Sequence, residues 1–224
     1  MGVLTIPARL SPAEKSTGRA RTLGSSSVGF MERAAALLML LALGPIVLIA
    51  ALVTAVLSRD SPFVSHARVG RGGKPIRVVK LRTMWGTGPS GRRLFIEHLD
   101  NTVVPESKTR RDPRVTSSFA AFCRRHSIDE IPQLWQVVIG EMALVGPRPL
   151  TAIELNTYYS GCTREVLSVA PGITGLWQVA GRSSLTYWQR RSMDLFLVRK
   201  LSAGLYLFIL TNTVKAVLTG RNAA

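Results

Sequence analysis

Asp129 and Glu130 form an adjacent pair of carboxylates, the feature of this sequence best suited to chemistry. Like charges at this spacing repel, so the pair is costly unless cations or a metal ion neutralise it. Arg124, Arg125 and His126 come shortly before the pair and make its surroundings cationic. The pattern therefore indicates a site in which carboxylates face positive charge.

Helix capping is the alternative role for the same carboxylates. Ser127 followed at the third position by Glu130 fits the capping box of a helix N-terminus, where acidic side chains are also favoured. Pro132 argues against capping, because proline suits a first helical turn and predicts a helix that begins near Ile131 or Pro132. The acids would then lie just before the helix and point into a site. Position alone leaves both interpretations open.

Several basic residues stand in contexts that could present them to a phosphate. Lys80 and Arg82 alternate within an apolar run, so the period of a strand places them on one face. Arg148 lies between Pro147 and Pro149, which restrict the backbone and lower the entropy cost of presenting the guanidinium. A guanidinium suits bidentate contact with phosphate. The alternatives are a solvated strand face and an ordinary surface turn.

A glycine-rich segment, residues 171–182, ends in Arg182. Its glycines would allow the backbone to approach a ligand closely, although this signal is weak alone. Together with the carboxylate pair and the other cations, it suits phosphoryl transfer from a charged donor. In such a reaction a carboxylate can be a covalent nucleophile, and a divalent ion can screen the phosphates.

The elements that must position these residues are short. Turn glycines at positions 70, 72 and 73 separate two predicted strands, residues 68–69 and 76–84. Apolar periodicity predicts short helices over residues 117–125, 133–139, 153–159 and 163–169. Residues 85–112 and 171–182 read as irregular. The fold class is therefore α/β, in the α+β sense, with a small sheet and several helices.

The C-terminal residues 185–218 are predicted to form an amphipathic helix. Leu201, Leu205, Phe208 and Val214 share one face at helical spacing. Such a face suits a helix that lies in a membrane interface, and equally a helix that packs on a core.

Residues 34–57 carry no charge and form the membrane candidate. As one helix they would be about 36 Å long, which exceeds the roughly 30 Å hydrocarbon core of a bilayer. Gly44 and Pro45 near the middle favour a kink or break. Residues 1–33 and residues 59–224 both carry net positive charge, which draws both flanks to the cytoplasm. A re-entrant hairpin satisfies both flanks, and a kinked spanning helix is the alternative.

The composition limits the class of protein. The 224 residues allow one domain with a small appendage, and two cysteines exclude a disulfide framework. With three histidines, a His/Cys zinc site is also disfavoured. The formal net charge of +16 suits a body held against anionic lipid. Nucleic-acid binding is the rival use of that charge, but the basic residues are dispersed and match no nucleic-acid motif.

The chain resembles the small monotopic phosphoglycosyl transferases, a family of bacterial sugar transferases that begin exopolysaccharide, capsule and O-antigen assembly. The resemblance extends over about residues 31–219. Its matching segments occur in the family's order, and their combination is specific although each alone is not. They are residues 80–84 (KLRTM), 112–116 (DPRVT), 127–134 (SIDEIPQL), 140–149 (GEMALVGPRP), 171–175 (PGITG) and 181–182 (GR).

This resemblance implies an enzyme at the cytoplasmic face of the bacterial inner membrane. Members transfer a sugar 1-phosphate from a nucleotide sugar, usually a UDP-sugar, to undecaprenyl phosphate, and UMP leaves. The expected divisions are a flexible basic tail at 1–29, a re-entrant membrane helix at 30–58 and a catalytic domain at 59–224. Partners would be the UDP-sugar, undecaprenyl phosphate and inner-membrane lipid, with no nucleic acid. A homodimer stays open, and so does the sugar, with glucose or galactose expected over N-acetyl sugars.

The resemblance also assigns roles to individual residues. Asp129 matches the family's nucleophile, which forms a covalent phosphosugar intermediate, and Glu130 matches the neighbour that helps to bind Mg²⁺. Gly44 and Pro45 match the break of the re-entrant hairpin. Phosphate contact is the implied role of the matching cations, with Arg125 added because it closely precedes the acids. These cations are Lys80, Arg82, Arg125, Arg148 and Arg182.

Several positions depart from the family pattern. Glu32 replaces the usual Asp at the start of the membrane helix, and Tyr206 stands where an Asp is usual. Gly44 takes the place of a serine before Pro45. The altered C-terminal part makes an inactive nucleotide-sugar-binding homologue one alternative to the transferase. A basic, membrane-anchored nucleic-acid-binding protein is another, and its binding would not need the two carboxylates.

Overall fold

The structure, a computed structural model, describes residues 26–85, 115, 117–181 and 185–220. Its first element is helix α1, Ser26–Ser58, which contains Pro45. Within these ranges, residues 29–58 form one helix long and apolar enough to cross a membrane, and an 18-residue window of this helix has a mean hydropathy of 2.8. The helix begins inside the predicted tail, of which residues 1–25 lie outside the described part. The backbone stays helical through Gly44 and Pro45. The break of a re-entrant hairpin that was expected at these two residues stays a prediction.

Both halves of α1 pack against the rest of the protein. Ala36 in the first half is fully buried in a cluster with Val78 and Val137. In the second half, Ala50 and Ala51 pack with other buried residues of the body. Small alanine side chains let the helix approach the body closely. The opposite side exposes large apolar side chains at helical spacing: Leu38, Leu41, Leu48, Leu52 and Val56.

The body begins with an antiparallel hairpin of β1, Phe63–Val69, and β2, Pro75–Leu81. Two strands are therefore present as predicted, with different bounds. The prediction missed the first part of β1, because polar and half-exposed residues there hide the strand pattern. Strand β2 ends at Leu81, three residues earlier than predicted. Its register pairs Val64 with Lys80 and His66 with Val78. Opposed residues of an antiparallel pair point to the same face, so His66 and Lys80 share one face of the hairpin.

Short helices follow and confirm the mixed helix-and-small-sheet class. Helix α2 is Ser118–Arg125, a 3₁₀ helix spans Ile128–Gln133, and α3 is Leu134–Val138. Next come strand β3, Ala143–Val145, and helices α4, Ala152–Tyr158, and α5, Thr163–Val166. The segment predicted as irregular contains β4, Gly172–Thr174, and α6, Leu176–Ala180. Strands β3 and β4 form a second, parallel pair that the sequence analysis missed.

The C-terminal part is two helices and not one. Helix α7, Tyr187–Lys200, and α8, Ala203–Thr219, meet at Leu201, and the Ser202 side chain caps α8. The face predicted for the membrane interface divides here. Leu205 packs against a buried cluster with Val145, Leu197 and Ile209, whereas Phe208 and Val214 are more than half exposed. The tail thus supplies core contacts as well as exposed apolar side chains.

Candidate active site

The two carboxylates lie in the first turn of the 3₁₀ helix, Ile128–Gln133. Ser127 precedes it in the left-handed region, with a φ of 53°, and its side chain makes no capping hydrogen bond. The capping box is therefore not formed. Pro132 lies within the helix, which begins earlier than Pro132 predicted.

Glu130 pairs with Lys80 across the contact between the 3₁₀ helix and β2. The Lys80 Nζ donates to Glu130 Oε1 at 2.7 Å, and both side chains are partly exposed. One of the predicted phosphate-binding cations is thus in direct contact with the carboxylate pair, although 50 residues separate the two in sequence.

Asp129 is the more buried acid, with 9% of its surface exposed. Burial, and next the charge of Glu130, raise the pKa of Asp129 to about 6, against the opposing charges of Lys80 and Arg124. A carboxylate in this setting is poorly solvated, and poor solvation strengthens its interaction with any cation or electrophile that reaches it.

An open pocket adjoins the ion pair, with about 320 Å³ of space including its mouth. Asp129 is not among the described side chains that line it. The polar side chains of its wall come from β1, β2, the 3₁₀ helix, the turn after β3, and α6: His66, Arg68, Lys80, Glu130, Gln133, Arg148 and Gln178.

Arg148 reaches this pocket from the turn that follows β3. The backbone pairing of β3 with β4 fixes the base of the turn, where the Gly172 amide donates to the Pro147 carbonyl at 2.8 Å. The Arg148 guanidinium lies 5.8 Å from the centre of the Trp177 ring. A cation held over an aromatic face in this way loses freedom before any ligand arrives.

Asp194 on α7 is fully buried next to this turn. It accepts a hydrogen bond from the Tyr159 hydroxyl at 2.7 Å. Burial raises the pKa of Asp194 to about 7, while the Tyr159 hydrogen bond and the Arg148 charge oppose the shift. The folded state therefore binds the carboxyl proton of Asp194 more tightly than the unfolded state does. The stability contributed by the proton is complete below about pH 4 and is lost as the pH rises through about 7.

We expect the Tm of Asp194→Asn, taken relative to the Tm of the wild type, to be higher at pH 8 than at pH 5. The asparagine carbonyl can still accept from Tyr159, and it carries no buried charge at high pH. Thermal unfolding of both proteins in detergent at the two pH values measures the difference in Tm. A difference that stays constant or shrinks between pH 5 and pH 8 would show that Asp194 does not bind this proton.

The other predicted cations lie elsewhere or outside the described residues. Arg82 donates to the Ser61 carbonyl at 2.6 Å and pairs with Asp60 at 3.3 Å, in the connection after α1. The side chain of Arg125 packs beside Gly220 at the end of α8, and the charge that acts on Asp129 is that of Arg124. Arg182 lies outside the described residues. A phosphate-binding role for these three predicted residues stays a prediction.

Sequence reasoning missed three pocket residues in particular: His66, Arg68 and Gln133. Period two along β1 would have found His66 and Arg68, had the strand been extended back to Phe63. Gln133 stands three residues after Glu130, a spacing that returns to the same face of a 3₁₀ helix. The first pattern requires the true start of β1, and the second requires that residues 128–133 form a 3₁₀ helix. The sequence alone predicted neither.

The carboxylates also bear on metal binding. No cluster of three or more metal-ligating acidic, histidine or cysteine side chains occurs within the described ranges. Mg²⁺ does not need one, since it is often held by one or two carboxylates with water and substrate phosphates. Asp129 and Glu130 fit that pattern of donors.

The chain is similar to known proteins over most of its length. The model of the bacterial sugar transferase family matches residues 27–220. The exopolysaccharide production protein ExoY of Sinorhizobium fredii is 34% identical over 210 residues, 92% of each chain. The UDP-glucose:undecaprenyl-phosphate glucose-1-phosphate transferase of Xanthomonas campestris is 32% identical over 86% of this chain and 39% of that protein. The undecaprenyl-phosphate galactose phosphotransferase of Salmonella typhimurium is 36% identical, over 68% of this chain and 32% of that protein.

The family match and the ExoY match each extend over most of this chain, and the matched region includes the carboxylate pair, the pocket and α1. The chain belongs to the bacterial sugar transferase family.

Proposed function

We propose that this protein transfers a sugar 1-phosphate from a UDP-sugar to undecaprenyl phosphate and releases UMP, as an early step of exopolysaccharide assembly. The observation that carries the proposal is the Asp129–Glu130 pair, set against Lys80 beside a pocket that Arg148 also lines. The Xanthomonas relative is named as a UDP-glucose:undecaprenyl-phosphate glucose-1-phosphate transferase, and the Salmonella relative as an undecaprenyl-phosphate galactose phosphotransferase. This chain spans only about a third of those longer proteins, and the whole of ExoY is similar in length.

Covalent transfer through Asp129 is the mechanism that we propose. An Asp129 carboxylate oxygen attacks the β-phosphorus of the donor and forms a P–O bond, and the bond to the α-phosphate oxygen breaks. The electron pair leaves with UMP, and the sugar phosphate stays on the aspartate as an acyl phosphate. A phosphate oxygen of undecaprenyl phosphate then attacks the same phosphorus and restores the carboxylate.

The Lys80–Glu130 ion pair has a role in this scheme. Because Asp129 is buried and lies outside the pocket wall, the donor must displace some local contact to reach it. Lys80 can exchange Glu130 for a donor phosphate, which keeps the ammonium paired and frees the glutamate. Arg148 would hold the diphosphate at the other side of the pocket, where a guanidinium offers two parallel donors.

Glu130, with Asp129 beside it, would hold Mg²⁺ once the lysine has moved. Bound Mg²⁺ would screen the charge of the diphosphate. The residues of this chain then have separate tasks: Asp129 forms the new bond, Glu130 keeps the ion near it, and Lys80 and Arg148 orient the phosphates.

A re-entrant α1 at the cytoplasmic face of the inner membrane is the topology that we propose. Both halves of α1 pack against the body, through Ala36 and through Ala50 and Ala51. A straight spanning helix would carry one half across the bilayer, away from a body on one side. The exposed face of large apolar side chains, from Leu38 to Val56, would enter the lipid. In this position the active site meets a lipid-linked acceptor at the membrane surface.

UMP release tests the proposed function directly. The full chain in detergent is incubated with Mg²⁺, undecaprenyl phosphate and one UDP-sugar at a time, including glucose, galactose and their N-acetyl derivatives. We expect release with one donor, dependent on the acceptor for sustained turnover and lost with EDTA. Folded protein that releases UMP from none of these donors would contradict the proposal and favour an inactive homologue.

A further inference from the structure

We infer that the side-chain amide of Gln133 binds the phosphoryl group that is being transferred, as a further residue of the active site. This inference rests on the proposed function. The proposed function gives no role to Gln133. The inference adds one, contact with the transferred phosphoryl group of the donor.

The position of Gln133 follows from the geometry of the 3₁₀ helix. Such a helix has three residues per turn, so Glu130 and Gln133 lie one above the other on the same face. Both side chains line the pocket, and so do Lys80 and Arg148. The amide therefore lies one turn from the ion pair and on the side where a donor would enter.

The amide nitrogen of Gln133 lacks a partner. Only 3% of the residue is exposed, and within the described part of the chain its Nε2 makes no hydrogen bond. Buried donors are nearly always paired, because leaving one unpaired forfeits its hydration without compensation. An unpaired buried donor on a pocket wall indicates that an acceptor on a ligand completes it.

Gln136, one turn further along, shows what a structural glutamine looks like in this protein. It is equally buried, yet its Nε2 donates to the Arg77 carbonyl at 2.8 Å and its Oε1 accepts from the Val79 amide at 3.1 Å. Gln136 ties α3 to β2, whereas Gln133 points an unpaired donor at the pocket. The two glutamines thus form a natural pair for comparison.

The chemistry of the surrounding wall identifies the acceptor. An –NH₂ group can only donate, and its pocket neighbours Lys80 and Arg148 are cations that favour an anionic ligand. A phosphoryl oxygen accepts from all three and is the group that the reaction brings to Glu130. Because negative charge on these oxygens is redistributed as the phosphorus is attacked, a fixed donor contributes to the transition state.

Gln133→Met, with Gln136→Met as its matched control, tests the inference. Methionine keeps the length of glutamine without its donor. For Gln133→Met we expect an unchanged or higher Tm without ligand, and a kcat for UMP release lowered about tenfold to a hundredfold. The donor KM should change much less. For Gln136→Met we expect a lower Tm, since the Arg77 carbonyl, the Val79 amide and the Glu141 carboxylate lose their hydrogen-bond partner.

The outcomes separate this inference from the proposed function. Wild-type kcat and KM in Gln133→Met, or a loss of Tm like that of the control, would overturn the role of Gln133 and leave the transferase assignment standing. If the wild type releases no UMP, UDP is used as the probe in thermal unfolding. A rise in Tm in the wild type that is reduced in Gln133→Met would support phosphate binding without the reaction. An equal rise in both, or none in either, would overturn the inference.

Discussion

Asp129→Asn should abolish UMP release, with a rate at least about 10³-fold below that of the wild type. An amide cannot supply the oxygen nucleophile that forms an acyl phosphate, and the loss of a bond-forming group is far larger than the loss of one hydrogen bond. The variant should fold, because burial already raises the pKa of Asp129 and a neutral side chain of the same shape suits the position. UMP release with the accepted donor, together with the Tm, measures both effects.

Asp60→Asn is the matched control for that substitution. Asp60 is half exposed and pairs with Arg82 after α1, so its neutralisation should leave the rate near that of the wild type. A labelled donor supplied without acceptor adds a second readout. The wild type and Asp60→Asn should retain the label on the protein, and Asp129→Asn should not. Turnover by Asp129→Asn above about a tenth of the wild-type rate would remove Asp129 as the nucleophile.

The sequence was sufficient to single out Asp129, Glu130, Lys80 and Arg148, because each stands in a short motif with its own chemical reason. The structure brings three of these to one place: Glu130 pairs with Lys80, and Arg148 lines the same pocket. The class of fold was also predictable, since most helices between β2 and α7 are short and periodic. What a single sequence could not supply was the distance between segments far apart in the chain.

Arg82 and Arg125 show the limit of local reasoning. Strand alternation placed Arg82 beside Lys80, but β2 ends at Leu81, and Arg82 contacts Asp60 and Ser61 instead. Nearness in sequence favoured Arg125, yet on the short helix α2 it is Arg124 whose charge acts on Asp129. Arg82 lies one residue beyond the end of β2, and Arg125 lies one residue beyond the arginine whose charge acts on Asp129. A shift of one residue therefore changes which groups a side chain contacts.

Glu32 and Tyr206, which both depart from the family pattern, contact each other. Glu32 on α1 accepts from the Tyr206 hydroxyl of α8 at 2.8 Å and from the Leu144 amide of β3 at 2.6 Å. The two unusual residues therefore form one contact that ties α1 to α8 and to the body. Two acids at these positions would repel at this distance, whereas a tyrosine and a glutamate bind. The sequence showed each change separately and could not show that they meet.

Gly172→Ala should be the most damaging small substitution for the fold. A β-carbon at Gly172 would collide with the backbone nitrogen of Gly146 and lie 2.6 Å from the Thr174 carbonyl oxygen. Backbone atoms cannot rotate away as a side chain can, so the β3–β4 pairing must separate. We expect the free energy of unfolding to fall by about 3 kcal/mol or more, and the Tm by roughly 10 °C.

Gly204→Ala gives the control that isolates this effect. Gly204 lies in the first turn of α8, where an added β-carbon meets nothing within 4 Å, so alanine should leave the Tm unchanged or raise it slightly. Since the Gly146–Gly172 contact also sets the turn that carries Arg148, any folded Gly172→Ala protein should bind UDP more weakly. Equal Tm values for the two variants would mean that the fold tolerates a β-carbon at the close approach of β3 and β4, and wild-type UDP binding would mean that this approach does not position Arg148.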